Sequence, residues 1–548
     1  MTLTPSQSGF VLSYDNQTTF GDIQLLGATA VDASGQAGGD IQIQARRVIL
    51  RGGSAIEAST LGNAAGGTIR VTALQGVELS GTTADNPQDS RRLVTSISAD
   101  NRGTGRTPGE LTVNTARLTI RNGARISAST KDEGVGGDIN INATDLVELV
   151  GTGISSGGQR SSGISVQTRG AGRAGDLRIT TRQLLVREGA EVSASTFGTG
   201  NGGNVYIQAT ERIDLTGTSP DGSLRSRIVA EVGKRGEVIN PVEIIPAVAQ
   251  GGDVNVTTHQ LTIQAGAAIS VSSRTPTGQA GNLNITANTI VLDQGRITAE
   301  TSAGSGAEIT LQGLNLLLLR NNSLISAQAS ALADGGNVTV NTLNGFVVAT
   351  PAQNSDIIAA ASQGTGGDIS INGSQGIFGI EEQTAVPQNQ TNDIDASSQF
   401  NQSGTVTISQ PNVDPSQGLI ELPTDVVDRS TQIARGCGSR SNESGRFVVT
   451  GRGGLPLSPD QPLQNRSIVS PNWVSLDSEF GDASTSGPQS QDENRLEQAD
   501  LPANVIVEAN GLSRDADGKR VLVAQSHATE HATEPNGLWT LPIQCDRP

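Results

Sequence analysis

Apolar and polar residues alternate along this chain in short runs, and the same runs return in nearly the same register. Residues 38–60 read GGDIQIQARRVILRGGSAIEAST. Residues 108–130 (PGELTVNTARLTIRNGARISAST), 174–196 (AGDLRITTRQLLVREGAEVSAST) and 251–273 (GGDVNVTTHQLTIQAGAAISVSS) repeat it. The apolar positions coincide in columns, with Ile41, Leu111, Leu177 and Val254 in one and Ile56, Ile126, Val192 and Ile269 in another. Each copy holds three alternating runs separated by Gly or polar corners, a period of two that predicts strands and leaves no helical period. Self-similarity built from short strands with Gly corners predicts an all-β fold, a parallel β-solenoid.

Between the long copies lie coils with another ending: residues 66–82 (GGTIRVTALQGVELSGT), 136–152 (GGDININATDLVELVGT) and 202–218 (GGNVYIQATERIDLTGT). The repeat is therefore a pair of coils, 66 to 77 residues long by the spacing of Asp40, Glu110, Asp176 and Asp253. Variable inserts such as 84–106 and 221–249 follow the second coil and are expected to be loops on one side, where partner recognition would differ from coil to coil. Further coils start near Asn282, Glu308, Asn337 and Asp368, and the last near Thr405. A stack of about a dozen coils at the ~4.8 Å strand spacing is roughly 60 Å long. The residue after each Gly pair is usually Asp, Asn or Glu. Its side chain is expected to bond nearby backbone N–H groups in Asx-type turns, with no cation required.

Two domains follow: residues 1–410 as solenoid, and 411–548 as a small, partly irregular module rich in Pro, Gly and Ser. Within the module, residues 504–524 form two alternating runs around Asp517-Gly518, a hairpin signal. Residues 1–37 already read as part of a coil, and no polar cap precedes them, so the natural polypeptide is expected to continue upstream.

Composition sharpens this reading. Aromatic residues are 2% of the 548 and Gly numbers 68, which suits a narrow interior of aliphatic side chains. The net charge of −17 argues against nucleic acid or an anionic membrane as partner. No apolar run approaches the ~20 residues of a membrane span, and the first residues lack the basic and apolar regions of a signal peptide. The two cysteines, Cys437 and Cys545, fit one disulfide in an oxidising compartment or two free thiols.

Candidate chemistry is sparse. His527 and His531 are four apart without the general-base Glu of a metalloprotease, and His259 stands alone, so all three read as solvated. Residues 198–203, GTGNGG, match a dinucleotide fingerprint but precede a strand pattern where a helix is needed. The GGD corners lack the nine-residue period of calcium-binding β-rolls. A carbohydrate-active β-helix enzyme would need clustered carboxylates on one face, whereas Glu57, Glu148 and Asp214 alternate with Ser and Thr. No catalytic residue, cofactor or metal site is assigned. The columns Ser59–Thr60, Ser129–Thr130, Ser195–Thr196 and Ser272–Ser273 read as solvated strand faces that also offer a repetitive polar surface to glycans.

The GGxIxIxA…VxLxGGSxIxAST phrasing of residues 20–409 resembles the filamentous haemagglutinin-type exoproteins of two-partner secretion, in particular the large cyanobacterial ones. The tail is similar to that group's C-terminal region in ELPTDVVD (421–428), ARGCGSR (434–440) and IVEANGLSRDADGKRVLVA (506–524). Its most specific motif is GRGGLP: Gly451, Arg452, Gly453, Gly454, Leu455 and Pro456. The resemblance implies a right-handed parallel β-helix and export by a dedicated outer-membrane β-barrel transporter. It also implies a non-enzymatic role in adhesion at the cell surface or outside the cell, through carbohydrate or cell-surface receptors. With the even cysteine count, its extracellular setting predicts a Cys437–Cys545 disulfide, worth about 4–5 kcal/mol in the chain-entropy model. The family's N-terminal signal peptide and secretion domain are not in this sequence, which therefore looks like the C-terminal part of such a protein. The competing expectations are a polysaccharide lyase or glycosidase, and a sheath or surface-layer element without a specific ligand.

Overall fold

The computed structural model describes residues 19–409 except 84–92, 156–157, 234–248, 274, 276 and 303, and the backbone of strands Thr2–Ser6, Gly9–Ser13, Gly511–Arg514 and Arg520–Val523. The chain divides into two compact units, Met1–Val426 and Val427–Pro548. In the second, Gly511–Arg514 pairs antiparallel with Arg520–Val523, as the hairpin pattern predicts. The cysteines, GRGGLP and the two tail histidines lie outside the described residues.

The first unit is a parallel β-solenoid, and its described secondary structure is all strand. Long strands of up to 13 residues, such as Ile41–Arg51, Thr68–Ser80, Glu110–Arg121 and Asp138–Val150, stack in parallel into a 15-stranded sheet. Three-residue strands, such as Arg125–Ser127, Gly163–Ser165 and Glu191–Ser193, stack into a 13-stranded sheet. The pairing is in register, so the columns aligned in the sequence become ladders in space: Ile126 lies beside Ile97 and Ile164. The Thr2–Ser6 and Gly9–Ser13 strands differ from expectation. They pair antiparallel with each other, and the first coil strand is Asp22–Leu26. Antiparallel pairing needs only a short local connection, whereas a parallel coil needs a crossover.

Alternation explains the core. In Ile41–Arg51 the residues Ile41, Ile43, Ala45, Val48 and Leu50 are buried, and the polar residues between them are not. The skip after Ala45 is where the long strand shifts register against its neighbour and bends. Small residues occupy the bend in most coils, with Leu314 an exception. At Thr115, Thr181 and Thr258 the buried hydroxyl donates to a carbonyl two residues on, as Thr115 does to Arg117 at 3.2 Å, and at Thr342 to the Asn372 carbonyl of the next coil. The turn out of each long strand enters the left-handed region, as at Asn122 (φ 57°) and Gly123 (φ 82°), which Gly and Asn tolerate best.

The Gly-pair corner is a close backbone approach. A Cβ on Gly203 would collide with the Gly175 carbonyl oxygen, and one on Gly252 with that of Gly203. The acidic and amide column beside it behaves differently from the Asx turns expected. Asp138 Oδ1 accepts the N–H of Asp176 in the next coil (2.7 Å), Asp176 that of Asn204 (3.1 Å), and Asn204 that of Asp253 (2.9 Å). Each side chain thus caps the following coil, because one strand spacing brings that N–H within reach.

Equivalent corners are 26 residues apart at Asn282–Glu308 and 49 at Asn204–Asp253, so coils differ in insert length. The inserts are not loops throughout. The stretches 84–106 and 221–249 contain the short strands Ser96–Ser98 and Arg227–Val229, with Ile97 and Ile228 in the core. Extra chain before the short strands Ser96–Ser98, Gly163–Ser165 and Arg227–Val229 begins with a local antiparallel contact, Thr82 with Val94, Thr152 with Ser161 and Thr218 with Arg225, and the longest insert also continues after Arg227–Val229. Alternate coils up to Thr218 thus carry a hairpin-like insertion at one corner, which is the physical content of the two-coil repeat in that part of the chain, whereas Thr289–Asp293 and Ile309–Arg320 pass to their short strands without one.

Ile126→Ala is expected to cost about 2–5 kcal/mol, because adjacent backbone ladders prevent the cavity from closing; chemical denaturation followed by circular dichroism measures it. Near the end of the solenoid, burial pushes the Asp356 carboxyl up to about 6. The neighbouring Asp393 and Asp395 charges push the same way, against the Asp393 N–H that Asp356 accepts at 3.0 Å. A carboxyl raised in the folded state contributes stability at low pH that is lost as pH rises from about 4 through about 6. Hydrogen exchange, corrected for intrinsic rates, should show coils 356–408 better protected at about pH 5 than at about pH 7, and Asp356→Asn should remove the difference.

Candidate functional site

In each short strand the second residue enters the core, as Ile126, Ile164, Val192 and Ile228 do, so the first and third face outward. The first positions stack in register as Arg125, Gly163, Glu191, Arg227, Ala268 and Arg296. Gly163 carries no side chain between Arg125 and Glu191, and over this gap lies a groove of about 500 Å³. One wall comes from the insertions: the hairpin of Thr152–Ser155 and Gly158–Ser161 gives Gln159, Arg160 and Ser161, and the next insertion gives Leu224. The other comes from Gln167, Arg169 and Phe197 at the opposite corner. Smaller hollows continue the groove past Lys131 and Asp100 on one side and past Arg225 and Arg296 on the other.

The insertion wall is held together. Gln159 Nε2 donates to Asp221 Oδ1 at 3.3 Å, and the Ser223 hydroxyl shares its one proton between Gln159 Oε1 at 3.0 Å and Asp221. Asp221 also accepts the Ser219 hydroxyl (2.5 Å) and the Ser223 hydroxyl and N–H (3.0 and 3.2 Å), which together hold its carboxyl down to about 2. It stays ionised, and keeps these donors, through the neutral range.

Charge along the groove runs against that of the chain. Seven cationic side chains line it and its two extensions, against four carboxylates. Three of those carboxylates, Glu191, Glu231 and Asp100, are engaged, and the fourth is Glu300 beside Arg225 and Arg296. Arg227 binds Glu191 at 2.7 Å and Glu231 at 3.2 Å. Asp100 accepts the Ser127 hydroxyl (2.5 Å) and the Ser129 N–H (2.8 Å). Arg125, Arg160, Arg169, Arg225 and Arg296 have no ion-pair partner among the described residues. Burial, then the repulsion of Arg125 and Arg169, pushes the Arg160 guanidinium below its ordinary pKa, and burial, then Arg296, does the same to Arg225. Such a surface offers charge-assisted donors to an anion.

The serine and threonine columns are not the solvated faces expected. Ser59, Thr60, Thr130, Ser195, Thr196, Ser272 and Ser273 are buried. They close the corner: the Thr130, Thr168 and Thr196 hydroxyls each donate to a carbonyl four residues on, at 2.7, 2.6 and 2.5 Å, and Ser195 Oγ accepts the Glu231 N–H of the next coil at 3.0 Å. Residues 198–203 lead into the strand Val205–Thr216, so they open no helix for a phosphate. His259 is exposed on Val254–Gln264. Glu57 and Asp214 face arginines, Arg102 at 2.7 Å and Arg212 at 3.4 Å. Among the described residues no three or more His, Cys, Asp or Glu are grouped to hold a metal, and no helix is long and apolar enough to cross a membrane. The arginine groove was legible only in part. The inserts mark its wall, but the column RIS, GIS, EVS, RIV, AIS, RIT shows its charge only once the short strands inside the inserts are aligned.

No protein-family model matches the chain, and comparison with curated proteins and with solved structures found no match either.

Arg227→Gln removes the guanidinium that binds Glu191 at 2.7 Å and Glu231 at 3.2 Å, and breaking such a pair costs about 3–5 kcal/mol when it is well buried. A lowered melting temperature is expected, partly restored by adding Glu191→Gln, as thermal denaturation monitored by circular dichroism would show.

Proposed function

We propose that this chain is a non-enzymatic, adhesin-like protein of the filamentous haemagglutinin type that acts outside the cell or at its surface by binding carbohydrate. In this reading it is exported through an outer-membrane β-barrel transporter. The observation that carries the proposal is the groove over Gly163, where arginines without carboxylate partners face open space on a rigid stack of coils. A ligand there meets side chains already fixed in place by the coils beneath, so little ordering cost accompanies binding. The burial of the Ser/Thr columns moves the contact surface from the corners to the short-strand sheet. Several moderate contacts, multiplied by many copies on a cell, suit adhesion.

A second reading has one observation in its favour. A groove on one face of a β-helix with Arg160 set between Arg125 and Arg169 has the outline of a polysaccharide-lyase site. Against it, Glu191 and Glu231 are both bound by Arg227, so neither is poised as a general acid or base.

Full-length protein incubated with an array of glycans, and with cells bearing them, separates the readings. Retention of glycan with its length unchanged by mass spectrometry is expected. Shortened products would replace the adhesin with the enzyme, and no retention of any glycan or cell would leave a sheath element.

A further inference from the structure

The groove and its two extensions form one track. The short strands from Arg125–Ser127 to Arg296–Thr298 occupy six successive levels of the stack. At the ~4.8 Å strand spacing this is about 24 Å along the axis. We infer that this track binds a linear acidic oligosaccharide along the solenoid axis, its carboxylate or sulfate groups meeting Arg125, Arg160, Arg169, Arg225 and Arg296. The inference rests on the carbohydrate-binding reading above and names the ligand class of that site.

The unpaired arginines carry the argument. Elsewhere many arginines find carboxylates, as Arg46 and Arg47 share Asp22 and Arg117 and Arg182 share Asp145, while others such as Arg70 and Arg121 stand exposed to water without an ion pair among the described residues. Along the track, Arg125, Arg160, Arg225 and Arg296 are half-buried yet have no such partner. Partial withdrawal from water costs free energy that a bound anion offsets. Burial and mutual repulsion hold the Arg160 and Arg225 pKa values down, and both pressures would be relieved by an anion. The net charge of −17 does not prevent this. Screening confines each charge to about 8 Å at physiological salt, and the walls of a groove focus its own field.

The rest of the lining selects a sugar over a nucleic acid. Ser165 and Gln167 present a hydroxyl and an amide suited to sugar hydroxyls, and among the described lining residues Phe197 is the one aromatic ring. A single ring stacks against one pyranose face but gives no platform for successive bases. Duplex nucleic acid, with a phosphate every ~1.7 Å, would also expose far more charge to the acidic surface beyond the track than a glycan with at most one or two charges per sugar.

The test is isothermal titration calorimetry of the full-length protein. The four ligands are a galacturonate hexamer, a sulfated hexasaccharide, a neutral hexasaccharide, and single-stranded DNA of matched charge. At least one acidic sugar is expected to bind more tightly than the neutral sugar and the DNA, and the binding should weaken as salt rises from about 50 to about 500 mM. Which of the two binds tells carboxylate from sulfate. Arg125→Gln with Arg160→Gln should reduce affinity roughly tenfold or more, with the melting temperature kept, whereas Arg70→Gln, outside the track, should not change it. Equal binding of the neutral sugar, tighter binding of DNA, or acidic-sugar binding unchanged by the double substitution would overturn the inference. If neutral sugar or cells still bind, the adhesin reading survives that loss; if no glycan and no cell binds, both fail.

Discussion

In-register stacking of one coil on the next is the constraint from which the rest of the structure follows. Parallel ladders such as Ile97–Ile126–Ile164 and Leu111–Ile139–Leu177 set every position of a coil one strand spacing from its counterpart. An inward position must therefore be apolar in every coil, and a crowded corner must be small in every coil. At the Gly-pair corner even a methyl group on Gly203 would strike the coil below. Stability becomes a sum over neighbouring coils rather than a property of one central core.

The same constraint decides what polar groups do. Like charges stacked directly would repel. The corner column nevertheless places the acids Glu110, Asp138 and Asp176 at successive levels, and its Asp and Asn side chains are occupied in accepting the backbone N–H of the next coil, as Asp176 does from Asn204 and Asp253 from Asn282. Asparagines on the outer faces chain in the same way, Asn142 to Asn114 at 2.9 Å and Asn284 to Asn255 at 3.1 Å. Function has room only where the repetition is broken. At Gly163 the outer column loses its side chain, and the insertions of alternate coils rise beside it, which makes a groove on an otherwise even sheet.

Much of the fold was legible in the sequence because burial in a solenoid alternates strictly. Ile41, Ile43 and Ile56 announce inward positions, and their counterparts recur at once in every copy. The limits of that legibility were also physical. The AST columns looked solvated because Ser and Thr usually are, yet Thr130 and Thr196 are buried, their hydroxyls satisfied by carbonyls four residues on. The short strands Ser96–Ser98 and Arg227–Val229 lie inside stretches that read as inserts, because three residues carry too little alternation to stand out. The groove was missed for the same reason: Arg125 and Arg160 are 35 positions apart, and only stacking, with a hairpin folding back, brings them together. Net charge misled as well, since it averages over a surface whose local sign reverses.

The most direct test of the account is an experimental structure of the full-length protein with a bound acidic oligosaccharide. The account predicts ligand density lying along the short-strand sheet, with acidic groups within hydrogen-bond distance of Arg125 and Arg160 and a sugar ring near Phe197. Density on the long sheet, or none on the short-strand face under conditions where calorimetry shows binding, would contradict it.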